Sequence, residues 1–228
     1  MRAPDAAPVA GRDAIRRHLR AVDPDLALLI ARVGPCRLRV DRAREPFESL
    51  VRAVAHQQLH GRAAEAILGR TIALLADEGG GAGFPSAEAL LRADPAALRA
   101  CGFSMGKIAA IRAVAEASLT GLVPSRRRAA RLSDAALIER LTSLRGIGRW
   151  TVEMLLIFSL GRPDIMPVDD FGVREGFRRI KRMDTQPRPR ELAAQAESWS
   201  PYRSAAAWYL WRAADEAKPP QAANPMTA

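Results

Sequence analysis

Cysteine is scarce in this chain: 228 residues contain two, Cys36 and Cys101. Two thiols supply neither the four ligands of a common iron–sulfur cluster nor a disulfide framework. Lysine occurs at Lys107, Lys181 and Lys218 alone, out of 35 Lys plus Arg, so the basic excess is carried by arginine. Aromatic residues make up only 5%. No apolar run reaches the roughly 20 residues that a bilayer crossing requires. The opening Met1-Arg2-Ala3-Pro4-Asp5 leads into no apolar signal core, so neither a membrane anchor nor secretion is expected. Strand signals are nearly missing as well. Cys36-Arg37-Leu38-Arg39-Val40 alternates, but it is short and isolated. The Gly79-Gly80-Gly81-Ala82-Gly83 run follows no strand and reads as a flexible loop rather than a phosphate cradle.

With 48% hydrophobic and 26% charged residues, the chain has enough apolar content for a real core. Its formal net charge is +10. Arginine presents a planar, two-pronged donor that matches phosphate, so an acidic partner such as nucleic acid is one reading of that charge. Biased codon usage is the other, and composition alone leaves both open. The clusters Arg126-Arg127-Arg128-Arg131 and Arg178-Arg179-Lys181-Arg182 fit a binding surface or a plain solvated face equally well.

The pattern between the termini is helical almost throughout. Phe47, Leu50, Val51 and Val54 fall on one helical face, and Ala63, Ala64, Ile67, Leu68 and Leu75 continue the theme after Gly61. Asp94-Pro95 reads as a cap followed by a first-turn proline. Ser104 and Ser133 stand where N-caps belong, ahead of Ile108, Ile111 and Val114 and of Leu137, Ile138 and Leu141. Residues 1–11 and 218–228 read as a flexible start and tail, and no internal repeat is evident. An all-α, two-lobed protein is expected over 12–217.

Two stretches carry chemistry. In Leu141-Thr142-Ser143-Leu144-Arg145-Gly146-Ile147-Gly148-Arg149-Trp150-Thr151 one helix ends, two glycines turn the chain, and another helix begins. Both glycines are expected to tolerate positive φ and to let a phosphate approach the backbone. Amides at the new helix start would then hold an anion without reading bases. The second stretch is Ile165-Met166-Pro167-Val168-Asp169-Asp170-Phe171, a pair of carboxylates ahead of the helical pattern Phe171, Val173, Phe177. An aspartate before a helix is first of all an N-cap, so capping and catalysis both stay open here.

Leu144-x-Gly146-Ile147-Gly148-x-x-Thr151 followed by Asp169-Asp170 resembles the helix–hairpin–helix DNA glycosylases. Within them it is most similar to the DNA-3-methyladenine glycosylase II, or AlkA-type alkylbase, branch. Ala55-His56-Gln57-Gln58-Leu59-His60, Cys101-Gly102-Phe103-Ser104-x-x-Lys107 and Pro201-Tyr202-Arg203-Ser204-x-Ala206-x-Trp208-Tyr209-Leu210-Trp211 match too. Together the matches span about residues 45–212. The lyase-type members of the superfamily carry a lysine where this chain has Trp150, which removes the nucleophile for a Schiff base. Residues before about 40 are too few for the N-terminal β-domain of some relatives.

The resemblance implies an active-site cleft between a central lobe, about 45–165 with the hairpin at 141–151, and a second lobe from the N-terminal segment plus about 166–217. It implies a monofunctional DNA glycosylase of base excision repair that excises alkylated purines from double-stranded DNA, a monomer without AP-lyase activity. Asp170 is then the catalytic carboxylate, with Asp169 capping the helix or facing solvent. Trp150, Met154 and Trp211 form the base pocket, with Trp208 part of it or packed behind. Gln58, Leu59 and His60 form the minor-groove wedge, and Gly146, Gly148, Arg149 and Thr151 hold the DNA backbone. No cofactor is implied beyond a structural Na+ or K+ on the main-chain carbonyls of Thr142, Leu144 and Ile147. The expected location is the cytoplasm with the nucleoid, or the nucleus in a eukaryote. A non-catalytic DNA-binding hairpin protein is the other class, since a binder needs neither the carboxylate nor the tryptophans. A glycosylase for oxidised or mismatched bases is the rival within the class, and it lacks its lysine or cluster signatures here.

Overall fold

The computed structural model describes residues 11–59, 61–76 and 83–216, and the helical expectation holds: no strand occurs among them. No helix among the described residues is long and apolar enough to cross a membrane. The chain divides into two compact units, one from 41–155 and one from 12–40 together with 156–216.

The 41–155 unit holds α3 (Pro46–His56), α4 (Gly61–Leu74), α5 (Ala87–Arg92), α6 (Pro95–Ala100), α7 (Met105–Leu119), α8 (Arg126–Ala129), α9 (Asp134–Thr142) and α10 (Arg149–Met154). Side-chain caps fix where several of them start. Asp94 accepts from the Ala96 amide at 3.0 Å, Ser104 from Lys107 at 3.3 Å and Ser133 from Ala136 at 3.2 Å. Each cap satisfies one of the donors that a helix start otherwise leaves orphaned. Leu50, Val51 and Val54 of α3 and Ala64, Ile67 and Leu68 of α4 are buried, whereas Ala63 lies on the exposed side of its helix. Leu98, Ile108, Ile111, Val114, Leu137 and Leu141 complete this core.

The second unit begins with α1 (Arg12–Val22) and α2 (Pro24–Val33), and resumes in a π-helical turn, Leu155–Ser159, that continues directly from α10. It ends with α11 (Phe171–Ile180), α12 (Pro189–Ala196) and α13 (Arg203–Asp215). Glycine sets the approach of α11 to α13, because a Cβ on Gly176 would lie 1.9 Å from the Leu210 carbonyl oxygen. Asp23, 1% exposed, caps α2 and also accepts from Lys181 Nζ at 2.8 Å and Trp199 Nε1 at 3.1 Å. The buried carboxylate is thus fully supplied with donors, which is the condition for tolerating a charge away from water. Much of the second basic cluster is tied up in the same way. Lys181 serves Asp23 and Asp25, and Arg178 and Arg179 both grip Glu175.

Candidate active site

Asp170 is the N-cap of α11, and its Oδ1 accepts the Val173 amide at 2.8 Å. Of the two roles expected for Asp169, capping the helix or facing solvent, the structure shows the second: Asp169 is exposed, while Asp170 is half-buried and makes the cap itself. Asp170 is the more inward of the pair, as helical spacing implies, and it also caps, with the extended torsions of a cap residue, φ −69 and ψ 125. The same Oδ1 also accepts the indole Nε1–H of Trp211 at 2.8 Å. Two converging donors fix the direction of this carboxylate, so its charge is preorganised.

Trp211 is 9% exposed, and its ring stacks on Phe158 with centroids 5.5 Å apart and planes 28° from parallel. Phe158 rides on the π-helical turn, a local widening that is frequent at functional sites. Gly172 sits against the indole. A Cβ there would lie 2.9 Å from Trp211 Cδ1 and 3.2 Å from Asp170 Oδ1. Phe171, next to the cap, presents an aromatic face that is 73% exposed. Sequence reasoning missed Phe158, Phe171 and Gly172. The available signal was weak: an aromatic at each end of the segment 158–171, and a glycine two residues after the acidic pair. Trp208 lies on α13 at 5% exposure, with the Arg212 guanidinium 5.5 Å over its ring, so it packs inside this unit. It is a core residue, and α13 gives the carboxylate Trp211 instead.

The loop that delivers Asp170 is pinned from the start of α13. Asp164 receives Arg203 Nε at 2.7 Å and Arg203 Nη2 at 2.8 Å, and Ser200 Oγ at 2.9 Å. Burial pushes the Asp164 carboxyl up, but the bonds from Arg203 and Ser200 outweigh it and hold the group below its ordinary value. Ser204 adds a second tie, accepting the Ile165 amide at 3.0 Å and donating to the Arg162 carbonyl at 2.7 Å.

In the 41–155 unit the hairpin takes the expected form, with one change. Gly146 has φ 79, and a Cβ on it would lie 2.7 Å from Ala110 Cβ, so it is glycine on two counts. Gly148 has φ −85 and ψ 167, torsions any residue adopts, and open space where its Cβ would be. Positive φ at Gly148 is therefore corrected: its smallness leaves room outside the backbone rather than permitting the turn. Gly148 caps α10 without a side-chain oxygen. Arg149 is largely exposed and bonds Glu153 at 2.9 Å. Trp150 is 41% exposed, whereas Met154 is buried at 6%. Thr151 is 4% exposed, so its side chain packs inside the unit, and in the first turn of α10 a phosphate could meet it only through its main-chain amide. A hydroxyl and methyl at the third position of a helix face inward when that face is the core face.

The turn between α3 and α4 holds the residues expected to form the wedge. Gln58 is exposed with a left-handed φ of 56, and Leu59 is 40% exposed, large for a leucine with a core at hand. His60 lies outside the described residues. Gln57 Nε2 donates to the Gly146 carbonyl at 3.0 Å, which brings the wedge turn and the hairpin together. The implied alkali-ion donors, the carbonyls of Thr142, Leu144 and Ile147, are neutral oxygens of one turn. That of Leu144 also accepts the Ile147 amide at 3.1 Å, which leaves it a second lone pair. Such a donor set fits a weakly held monovalent cation.

A helical chain with a glycine hairpin between two helices, and with a carboxylate held by the N–H edge of a stacked indole, defines a helix–hairpin–helix protein of the DNA-handling class. More narrowly, the chain belongs to the HhH-GPD superfamily of base excision DNA repair proteins, whose pattern matches residues 51–201. It is 46% identical over 206 residues to DNA-3-methyladenine glycosylase 1 of Schizosaccharomyces pombe, covering 89% of each chain. The solved structure of the 3-methyladenine DNA glycosylase Mag1 of S. pombe, in complex with abasic DNA, matches with a TM-score of 0.76 at 44% identity. That match covers 87% of this chain and 95% of the other. A DNA-3-methyladenine glycosidase from Bacillus halodurans matches with a TM-score of 0.78 at 35% identity, covering 88% of both chains.

Proposed function

We propose that this protein is a monofunctional DNA glycosylase of base excision repair that releases alkylated purines of the 3-methyladenine and 7-methylguanine type from duplex DNA. The observation that carries this reading is the Trp211 Nε1–H donated to Asp170 at 2.8 Å. A DNA-binding hairpin alone has no use for a carboxylate locked to an aromatic wall. The protein acts as a monomer on double-stranded DNA, and a Na+ or K+ on the hairpin carbonyls bridges to a phosphate. It lacks lyase activity, because Trp150 stands where the lyase-type relatives carry their amine.

The chemistry follows from the charge of the lesion. The target base is taken out of the stack at a cost of a few kcal/mol, and Gln58 and Leu59 fill the gap. Purines alkylated at N3 or N7 are cationic, and electron-rich ring faces attract such a cation by roughly 0.5–2 kcal/mol. Trp211, Phe158 and Phe171 supply those faces. The C1′–N bond breaks with its electron pair leaving on the base, which neutralises the base and puts positive charge on the sugar. Asp170 stabilises that charge and orients a water, whose oxygen bonds C1′ as its proton passes to the carboxylate and on to solvent. An abasic site remains.

Asp170→Asn tests this. The amide still caps α11 and still accepts from Trp211, so the fold and abasic-analogue binding persist. Base release from a 7-methylguanine duplex falls about a hundredfold or more, the worth of one preorganised charge. Asp169→Asn, at an exposed position, releases base at the wild-type rate. Normal release by Asp170→Asn would overturn the assignment.

A further inference from the structure

The wedge turn and the hairpin grip DNA in different ways, one by entering the stack and the other by holding phosphate. Both sit in the 41–155 unit, and what keeps them in register is visible there. The last three carbonyls of α3 each have a partner. Val54 O accepts the Gln57 amide at 3.3 Å, and His56 O accepts the Leu59 amide at 3.2 Å. Between them, Ala55 O accepts Lys107 Nζ at 2.8 Å, from a helix 52 residues away in sequence. Gln57 then reaches out of the turn to the carbonyl of Gly146 at 3.0 Å.

Lys107 is placed against its own helix. It lies in the first turn of α7, where the helix dipole disfavours a cation, and burial pushes its pKa down. At the C-terminal end of α3 the same charge is favoured. Three lysines survive in a chain whose other 32 basic residues (35 less 3) are arginine. The ammonium is a compact donor at the end of a flexible four-carbon stem, and here it ends on one carbonyl. Ala110, one turn further along the same face of α7, is the residue that Gly146 packs against. One helix face therefore supports the wedge turn through Lys107 and the hairpin through Ala110, and Gln57 closes the triangle.

We propose that Lys107 and Gln57 are positioning residues that lock the wedge Gln58–Leu59 to the hairpin, so that phosphate gripping and entry into the base stack occur as one rigid movement. The proposal rests on the glycosylase reading above. Neither side chain touches the base in it: each acts through a backbone carbonyl.

A single-stranded substrate needs no wedge, which separates this role from a merely structural one. Gln57→Met and Lys107→Met keep side-chain length and remove the donor. Excision of 7-methylguanine from duplex DNA by either variant falls about tenfold, while excision from a single strand stays within about twofold, the size of effect expected from a misplaced but intact group. Leu59→Ala shifts the duplex-to-single-strand ratio in the same direction. Equal losses on both substrates, or no loss on duplex, overturn the proposal. Should Lys107→Met not fold, Gln57→Met and Gln57→Glu carry the test. A parallel measurement is independent of chemistry: 2-aminopurine beside an abasic analogue brightens when the wild-type protein unstacks it. Loss of that brightening in Gln57→Met supports the lock even if the wild type releases no base, an outcome that would sink the glycosylase reading alone. Unchanged brightening in Gln57→Met overturns the lock.

Discussion

Asp170 combines two tasks usually given to different residues. Its Oδ1 closes the first turn of α11 through Val173 and holds the Trp211 indole, so one atom sets both the helix start and the orientation of that ring. Gly172 makes that possible by leaving the indole room. In Gly172→Ala the new methyl stands 2.9 Å from Trp211 Cδ1 and pushes the ring off its carboxylate. Overpacking of this kind costs about 1–3 kcal/mol. Replacing a helical glycine by alanine returns roughly 0.8–1 kcal/mol of helix propensity. The net loss of stability is therefore at most about 2 kcal/mol, and the larger damage falls on activity. Base release drops tenfold or more, about 1.4 kcal/mol in the barrier, while urea unfolding shows the enzyme still folded. A fully active Gly172→Ala enzyme would show that the indole–carboxylate contact is dispensable.

At the level of elements, the hairpin separates two uses of glycine that look alike in the sequence. Gly146 is demanded by the fold, since φ 79 disfavours any side chain and Ala110 blocks the space. Gly148 has ordinary torsions and nothing near its Cβ position, so the fold makes no demand on it. Gly146→Ala accordingly lowers the melting temperature, by the several degrees that about 1–2 kcal/mol gives in a chain of this size. Gly148→Ala leaves the melting temperature where it is and weakens binding to an abasic-analogue duplex several-fold, because its methyl occupies the path of a phosphate. Thermal unfolding and fluorescence anisotropy distinguish the two. Loss of stability in Gly148→Ala with normal binding would reverse the assignment.

Across the whole molecule, the excess of arginine is not one binding surface. Arg178 and Arg179 hold Glu175, and Arg203 holds Asp164, inside the unit that carries Asp170. Exposed Arg127, Arg128 and Arg131 and the hairpin's Arg145 are placed to meet an acidic partner, whereas Arg149 already bonds Glu153. The bonds from Arg178 and Arg179 bring the Glu175 carboxyl down to about 2 from the usual 4.5. A carboxylate depressed on folding contributes stability that is fully present above its unfolded value and is lost as pH falls through its folded one. Urea unfolding followed from pH 5 downward should therefore show stability draining between about 4.5 and 2. Glu175→Gln, which has no proton to take up, flattens that slope. Identical slopes in the two proteins would remove Glu175 from the account.

The sequence by itself determined the helical class, because apolar spacing and caps such as Asp94, Ser104 and Ser133 are local and act within one turn. It also determined the hairpin, since Leu144-x-Gly146-Ile147-Gly148 closes on itself, and the absence of the lyase-type lysine at Trp150. Contacts between distant residues were decided only in three dimensions. Phe158 and Trp211 are 53 residues apart (211 less 158), and no periodicity links them before the rings stack. Which of two adjacent aspartates caps α11 depended on torsions at one residue and on an indole arriving from α13. The burial of Thr151 and Trp208 was equally invisible, because a helix side becomes a core side only when another element covers it. Lys107 shows the same limit: its partner is a backbone carbonyl, and backbone acceptors leave no mark in a sequence.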